Sequence, residues 1–251
     1  KVSANNPSFS IELPSDATGD LIVIIDEKQY SKKLADGKAT VNVPKLSSGN
    51  HKITVTYSGD ENYASITTTK TVNVPSPKIT NNKNIVMDYN DGSVYKVRVI
   101  GSDGNIVVGD YVTFKINGKT SKIKTDKNGY ASVKIAEIPK KYTITATYKE
   151  TTVKNTVTVK QILKSSNFKV KKSAKKLVLK ATLKSSKGKA IKGKQIKFKF
   201  NGKTYKAKTN KKGIAKVTIK KNVNKKLKVK KYALRITYLK DALKKTVTVK
   251  K

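Results

Sequence analysis

Cysteine and tryptophan are both absent from the 251 residues. The first absence removes disulfides, zinc–thiolate sites and cysteine nucleophiles together. It fixes no compartment, because many secreted microbial proteins lack cysteine. The second leaves the core to Val, Ile, Leu, Phe and Tyr. The chain holds a single histidine, His51, and only two arginines, Arg98 and Arg235. Acids are scarce as well, and Asp241 is the only one after residue 160. The longest apolar run is the five residues Leu21–Ile25, whereas a membrane helix needs roughly 20. No signal peptide stands at Lys1, so the chain reads as a monomeric fragment of a longer protein, with any targeting signal upstream.

What the chain has in abundance is lysine. The net charge is +40, and 54 of the 56 basic residues are lysine. The charge is graded along the chain: residues 1–77 are neutral, residues 78–160 carry +8, and residues 161–251 carry +32. Ordinary surface solubility calls for a net charge of roughly 2–8 per small domain.

The chain also repeats itself. Val112–Lys134 aligns without a gap to Ile196–Thr218, with 13 identities in 23 positions and an offset of 84. The copy then has a longer connection, and the offset becomes 90, pairing YTITATY (142–148) with YALRITY (232–238) and TVTVK (156–160) with itself at 246–250. HKITVTY (51–57) and TVNV (71–74) are more distant relatives of the same two stretches. Three units result, at 1–77, 78–160 and 161–251. Pro75-Ser76-Pro77 ends the first, because proline cannot extend a strand ladder.

Within a unit, apolar and polar residues alternate, as strands require. YKVRVIG, YVTFKING, YASVKI and YTITATY are separated by turn signals such as Asn117-Gly118 and Asp126-Lys127-Asn128-Gly129. Asn-Gly supplies the positive φ values of a two-residue hairpin. The prediction is all-β: about seven short strands per unit, the size of an immunoglobulin-like sandwich, repeated in an elongated tandem array. A small barrel is the alternative. The inward set should include Val97, Val99, Val112, Phe114, Ile116, Val133, Ile135, Ile144, Tyr148, Val157 and Val159 in the second unit. In the third it should include Leu177, Leu179, Leu183, Ile196, Phe198, Phe200, Val217, Ile219, Leu234, Ile236, Tyr238, Val247 and Val249. Tyr57, Tyr148 and Tyr238 close the same strand. They are either tyrosine corners or large core residues with wet tips.

The stretch HKITVTYSGDENYASITTTKTVNV resembles the Ig-like repeats of bacterial and archaeal surface proteins. FKINGKTSKIKTDKNGYASVKI followed by YTITATY resembles repeats of adhesin-like proteins from methanogenic archaea. VKKSAKKLVLKATL, FKFNGKTYKAKTNKKGIAKVTIKK and TVTVKK resemble their lysine-rich C-terminal module. The resemblance implies a secreted, extracellular protein at the cell surface or cell wall, in which the Ig-like array is an adhesin's stalk.

Same-face lysines on a strand stand about 6.6–6.8 Å apart, inside the screening length of about 8 Å at physiological salt. Such a surface is destabilised by its own field and calls for a polyanionic partner. The candidate contacts are Lys197, Lys199, Lys203, Lys206, Lys208, Lys211, Lys212, Lys216, Lys220 and Lys221. Edge protection by lysine and genomic bias are the bland alternatives. Bidentate readout of guanine or phosphate favours arginine, and aromatic stacking platforms are sparse. Specific nucleic-acid binding is therefore not expected. An anionic polymer of the cell wall or a host surface is the expected partner, with non-specific polyanion or nucleic-acid binding as the alternative.

No enzyme, cofactor or metal site is expected. His51, beside Lys52, reads as a surface histidine without catalytic companions. Asp60 and Glu61 form a capped turn or a thin calcium site. One covalent reading concerns the lysine–asparagine isopeptide bonds that surface Ig-like domains sometimes carry. Here Lys83 would attack Asn155, with Asp88 or Asp110 as the proton carrier. That chemistry needs a lysine whose burial favours the neutral amine. Against it, Lys70 and Lys245 occupy the positions equivalent to Asn155, so the triad is not repeated in that form; a reversed pairing, with lysine on the last strand, is the variant of this reading.

Overall fold

Alternation of apolar and polar residues makes a strand two-faced, and a two-faced sheet must cover its apolar side with a second sheet. The computed structural model, which describes residues 8–220 and 226–251, follows that rule throughout, and its regular elements are all strands. In the first stretch β1 (Ser8–Glu12) pairs with β4 (Lys38–Asn42). β2 (Asp20–Ile25), β3 (Lys28–Lys33), β5 (Gly49–Tyr57) and β6 (Ile66–Val74) form a second sheet in the order β3-β2-β5-β6.

In the second stretch β7 (Lys78–Thr80), β9 (Val94–Ile100) and β12 (Tyr130–Lys134) form the sheet β12-β9-β7. β8 (Ile85–Asp88), β10 (Tyr111–Ile116), β11 (Lys119–Lys124), β13 (Lys140–Tyr148) and β14 (Thr151–Lys160) form β11-β10-β13-β14-β8. In the third, β15 (Leu163–Lys164), β17 (Lys176–Leu183) and β20 (Ile214–Lys220) form β15-β17-β20. β16 (Phe168–Lys171), β18 (Gln195–Phe200), β19 (Lys203–Lys208), β21 (Lys231–Tyr238) and β22 (Asp241–Lys250) form β16-β22-β21-β18-β19. The two later stretches share one strand order, as their repeated sequence requires.

By density of contacts the chain falls into two compact units. The first is 1–82 with 96–133 and 145–154, and the second is 83–95 with 134–144 and 155–251. The division crosses β9, β12, β13 and β14.

The interior is built from the residues that alternation points inward. In the first stretch Val23, Ile25, Val41, Val43 and Ile53 form one cluster, and Leu21, Ala39 and Tyr57 another. Every inward residue expected in the third stretch is buried. In the second stretch all are buried except Val133, which is half-buried.

The turns follow their sequence signals. Asn117 and Gly118 have φ of 50° and 74°, and Asn201 and Gly202 have 44° and 75°, the conformation that splices two right-twisted strands. The 126–130 turn is tied by the Asp126 carboxylate, which accepts the N–H groups of Asn128 and Tyr130. In the copy the Asn210 carboxamide oxygen accepts those of Lys212 and Ile214 at 2.9 and 3.0 Å. The turn is kept and its acid is gone.

Candidate polyanion-binding faces

Strand register decides where each lysine points. On the five-stranded sheet Lys197 stands opposite Lys206, and Lys199 stands opposite Arg235. Arg235 in turn stands opposite Lys244, so a row of three cations crosses three adjacent strands. Strands lie about 4.8 Å apart in a sheet. Lys208 opposite Gln195, Lys231 and Lys169 level with Thr248, and Lys171 opposite Lys250 share that outward face.

The other sheet carries its own set. Lys176 stands opposite Lys220, Lys180 opposite Lys216, and Lys164 opposite Thr182. Their neighbours in sequence, Leu163, Leu177, Leu179, Val217 and Ile219, are buried. These lysines therefore face out on the far side of the sandwich.

The ten candidates thus divide. Lys197, Lys199, Lys206 and Lys208 come together on the five-stranded face, and Lys216 and Lys220 lie on the three-stranded one. Lys203 is level with buried Phe200 at the start of its strand, and Lys211 and Lys212 stand in the β19–β20 turn. Lys221 lies outside the described residues. Arg235, Lys244, Lys176 and Lys180 join the faces although the local lysine pattern did not single them out. In the second repeat their counterparts are diluted: Thr113, Thr145 and Ser132 align with Lys197, Arg235 and Lys216.

Among the described residues of this sandwich no lysine or arginine has a carboxylate within 4.0 Å. Its lone acid is unusable: Asp241 is 4 % exposed. The Asp241 carboxylate accepts a hydrogen bond from the Gln161 amide at 2.9 Å, and its Oδ2 has no partner. Burial raises its pKa, against smaller lowerings by the Gln161 amide and the Ala242 backbone N–H. Among the described lysines only Lys245 is half-buried, and the rest are exposed.

The tyrosines differ in what they hold. The Tyr57 hydroxyl lies 2.7 Å from both the Thr18 carbonyl and the Asp60 carboxylate, two acceptors for its one proton. Asp60 also accepts the N–H groups of Thr18, Asn62 and Tyr63, and these donors hold its pKa far below the usual range. Its oxygens cap a turn. The Tyr148 hydroxyl donates to Asp110 at 2.9 Å. Lys194 aligns with Asp110 in the copy, so Tyr238 lacks that acceptor and packs edge-on against the Tyr89 ring.

His51 is a correction: it is buried, not on the surface, at 5 % exposure. Its Nδ1 bonds to Asp26 and its Nε2 to the Ser47 carbonyl at 2.8 Å. Both partners are acceptors, an arrangement that favours the doubly protonated ring. The Asp26 hydrogen bond raises its pKa, opposed by burial.

Of the four residues of the covalent reading, Asn155, Asp88 and Asp110 have separate engagements. Lys83 is exposed. The Asn155 carboxamide oxygen accepts from the Tyr95 hydroxyl at 2.6 Å, and its amide donates towards Asn84 at 3.4 Å. Asp88 accepts the Ser186 N–H, and Asp110 is held by Tyr111 and Tyr148.

Residues 2–75 match the model of the bacterial Ig-like domain (group 3). No curated protein matches the chain. Among solved structures, the I9–I11 tandem of titin is similar at 12% identity over 99% of this chain and 94% of that one, with a TM-score of 0.51. A Ca2+-stabilised adhesin from an Antarctic bacterium is similar at 18% identity over 98% of this chain and 69% of that one, with a TM-score of 0.24. The titin likeness shows the fold: the chain is a tandem of Ig-like β-sandwiches.

Proposed function

We propose that the chain is a non-enzymatic stalk segment of an extracellular, cell-surface adhesin. It consists of three Ig-like modules, 1–77, 78–160 and 161–251, the last of which holds an anionic polymer of the cell envelope or of a host surface. The family match over residues 2–75 supports the surface role. One observation carries the rest: the third sandwich displays its cations outward, with its sole acid buried. Nothing within the module relieves their repulsion, so an external polyanion gains a large electrostatic attraction. Lysine, as a strongly hydrated point charge, suits a flexible polymer better than a base edge.

Salt tests this reading. The full chain should sediment with purified cell walls at low ionic strength and release steeply as salt rises, because binding displaces counter-ions from each neutralised site. Changing Lys197, Lys199, Lys206 and Lys208 to Gln should lower affinity and flatten the salt dependence. Binding that is indifferent to both salt and substitution would overturn the proposal.

A further inference from the structure

The register places the cations on two outward faces of one sandwich, and they differ in size. The five-stranded face carries Lys169, Lys171, Lys197, Lys199, Lys206, Lys208, Lys231, Arg235, Lys244 and Lys250. The three-stranded face carries Lys164, Lys176, Lys180, Lys216 and Lys220.

The two sheets of a sandwich pack about 10 Å apart, and their ammonium groups reach outward from both sides. A polymer seated on one face cannot touch the cations that point away from it on the other. A polymer lying on one face therefore does little to neutralise the other. Each face also repeats its charges along the strands and, in opposed pairs, across them, which suits a linear polymer better than a small ion. Lys176 with Lys220 and Lys180 with Lys216 form two such pairs on the smaller face.

We propose that the C-terminal sandwich is bivalent: its opposite faces grip two separate strands of a linear polyanion bearing phosphate or carboxylate, so that one molecule cross-links the polymer. This rests on the polyanion reading above and adds to it. A one-sided module would decorate a polymer, whereas a two-sided one stitches a network and is retained by several strands at once.

The test separates faces from total charge. The full chain is mixed at low salt with polyphosphate in one arm and polyglutamate in the other, with polymer charge in excess. Binding is read by fluorescence anisotropy and cross-linking by light scattering. The first variant strips the smaller face, with Lys164, Lys176, Lys180, Lys216 and Lys220 changed to Gln. The second loses five lysines from the larger face, Lys169, Lys197, Lys206, Lys208 and Lys244 to Gln, and has the same net charge. All ten are exposed, and the circular dichroism of each variant should match that of the parent.

The parent and the second variant should scatter strongly. The first should bind about as well as the second, yet lose scattering by roughly tenfold or more, because only one gripping face remains. Scattering in one arm alone identifies which anion the faces accept and supports the proposal. Equal scattering by the two variants would show that net charge and not two-sidedness makes the network, overturning bivalency while leaving polyanion binding intact. A parent that binds neither polymer at low salt would bring down both readings.

Discussion

Two buried titratable side chains respond to pH in the same sense for opposite reasons. His51 faces two acceptors that favour its protonated ring, so its folded pKa lies above its ordinary value of 6.5. Its contribution to stability is complete below that value and is lost as pH rises through the raised folded pKa. Asp241 is buried with an orphan oxygen, so its folded pKa lies above 3.8. Folding therefore favours its protonated form, and that advantage is present below 3.8 and disappears as pH rises through the folded value. Substitution tells the two apart. Asp241→Asn keeps an oxygen for Gln161 and removes the buried charge, so it should raise the melting temperature at neutral pH and erase the acid-side gain. His51→Ala should cost about 1.5–3 kcal/mol near pH 6, the value of a hydrogen bond involving a charged group. The loss should shrink above the folded pKa. A melting-temperature profile over pH 3–9 for the three proteins checks both. The position of His51 was not legible in sequence, because Lys52 beside it suggested an exposed strand start and because Asp26 and Ser47 approach it only through the fold.

The strands and their hairpins were the most legible elements, because alternation and Asn-Gly turns are local signals. The parallel pairs were not, since β8 with β14 and β16 with β22 join the two ends of a stretch and no short-range pattern encodes them. The same limit hid the division of the lysines. Alternation says that Lys197 and Lys216 both face outward. Only the assignment of β18 and β20 to different sheets says that they face opposite ways. Turn chemistry gives a sharper prediction. Gly213 has φ of +72°, and a Cβ there would lie 2.4 Å from the Leu183 carbonyl oxygen. Gly202 has φ of +75° with open space around it. Gly202→Ala should cost about 1–2 kcal/mol for the left-handed conformation alone. Gly213→Ala should cost distinctly more in chemical denaturation, because the backbone itself must shift and its bond from the Leu183 N–H at 2.8 Å is at stake. The strand-closing tyrosines make a parallel comparison: Tyr148→Phe should lose about 1 kcal/mol with its Asp110 bond, whereas Tyr238→Phe, with Lys194 in place of the acid, should lose less.

At the scale of the molecule, charge and stability pull against each other in a way that salt can expose. Proteins knit by surface ion pairs lose a little stability as salt screens attraction. Here the 161–251 stretch has 32 lysines, one arginine and one buried acid, so screening removes repulsion and very little else. Its unfolding should therefore shift to higher temperature as sodium chloride is raised from low to physiological levels, while the neutral 1–77 stretch should hardly move. Both transitions can be followed in one calorimetric scan or, site by site, by hydrogen exchange. Polyphosphate should match the effect at far lower concentration, because a ligand that binds only the folded, face-organised lysines adds its binding free energy to stability. A polymer that instead bound the unfolded lysine-rich chain equally well would leave the transition in place. The stabilisation by polymer consequently reports whether the sandwich presents its cations as ordered faces or merely as a count of charges.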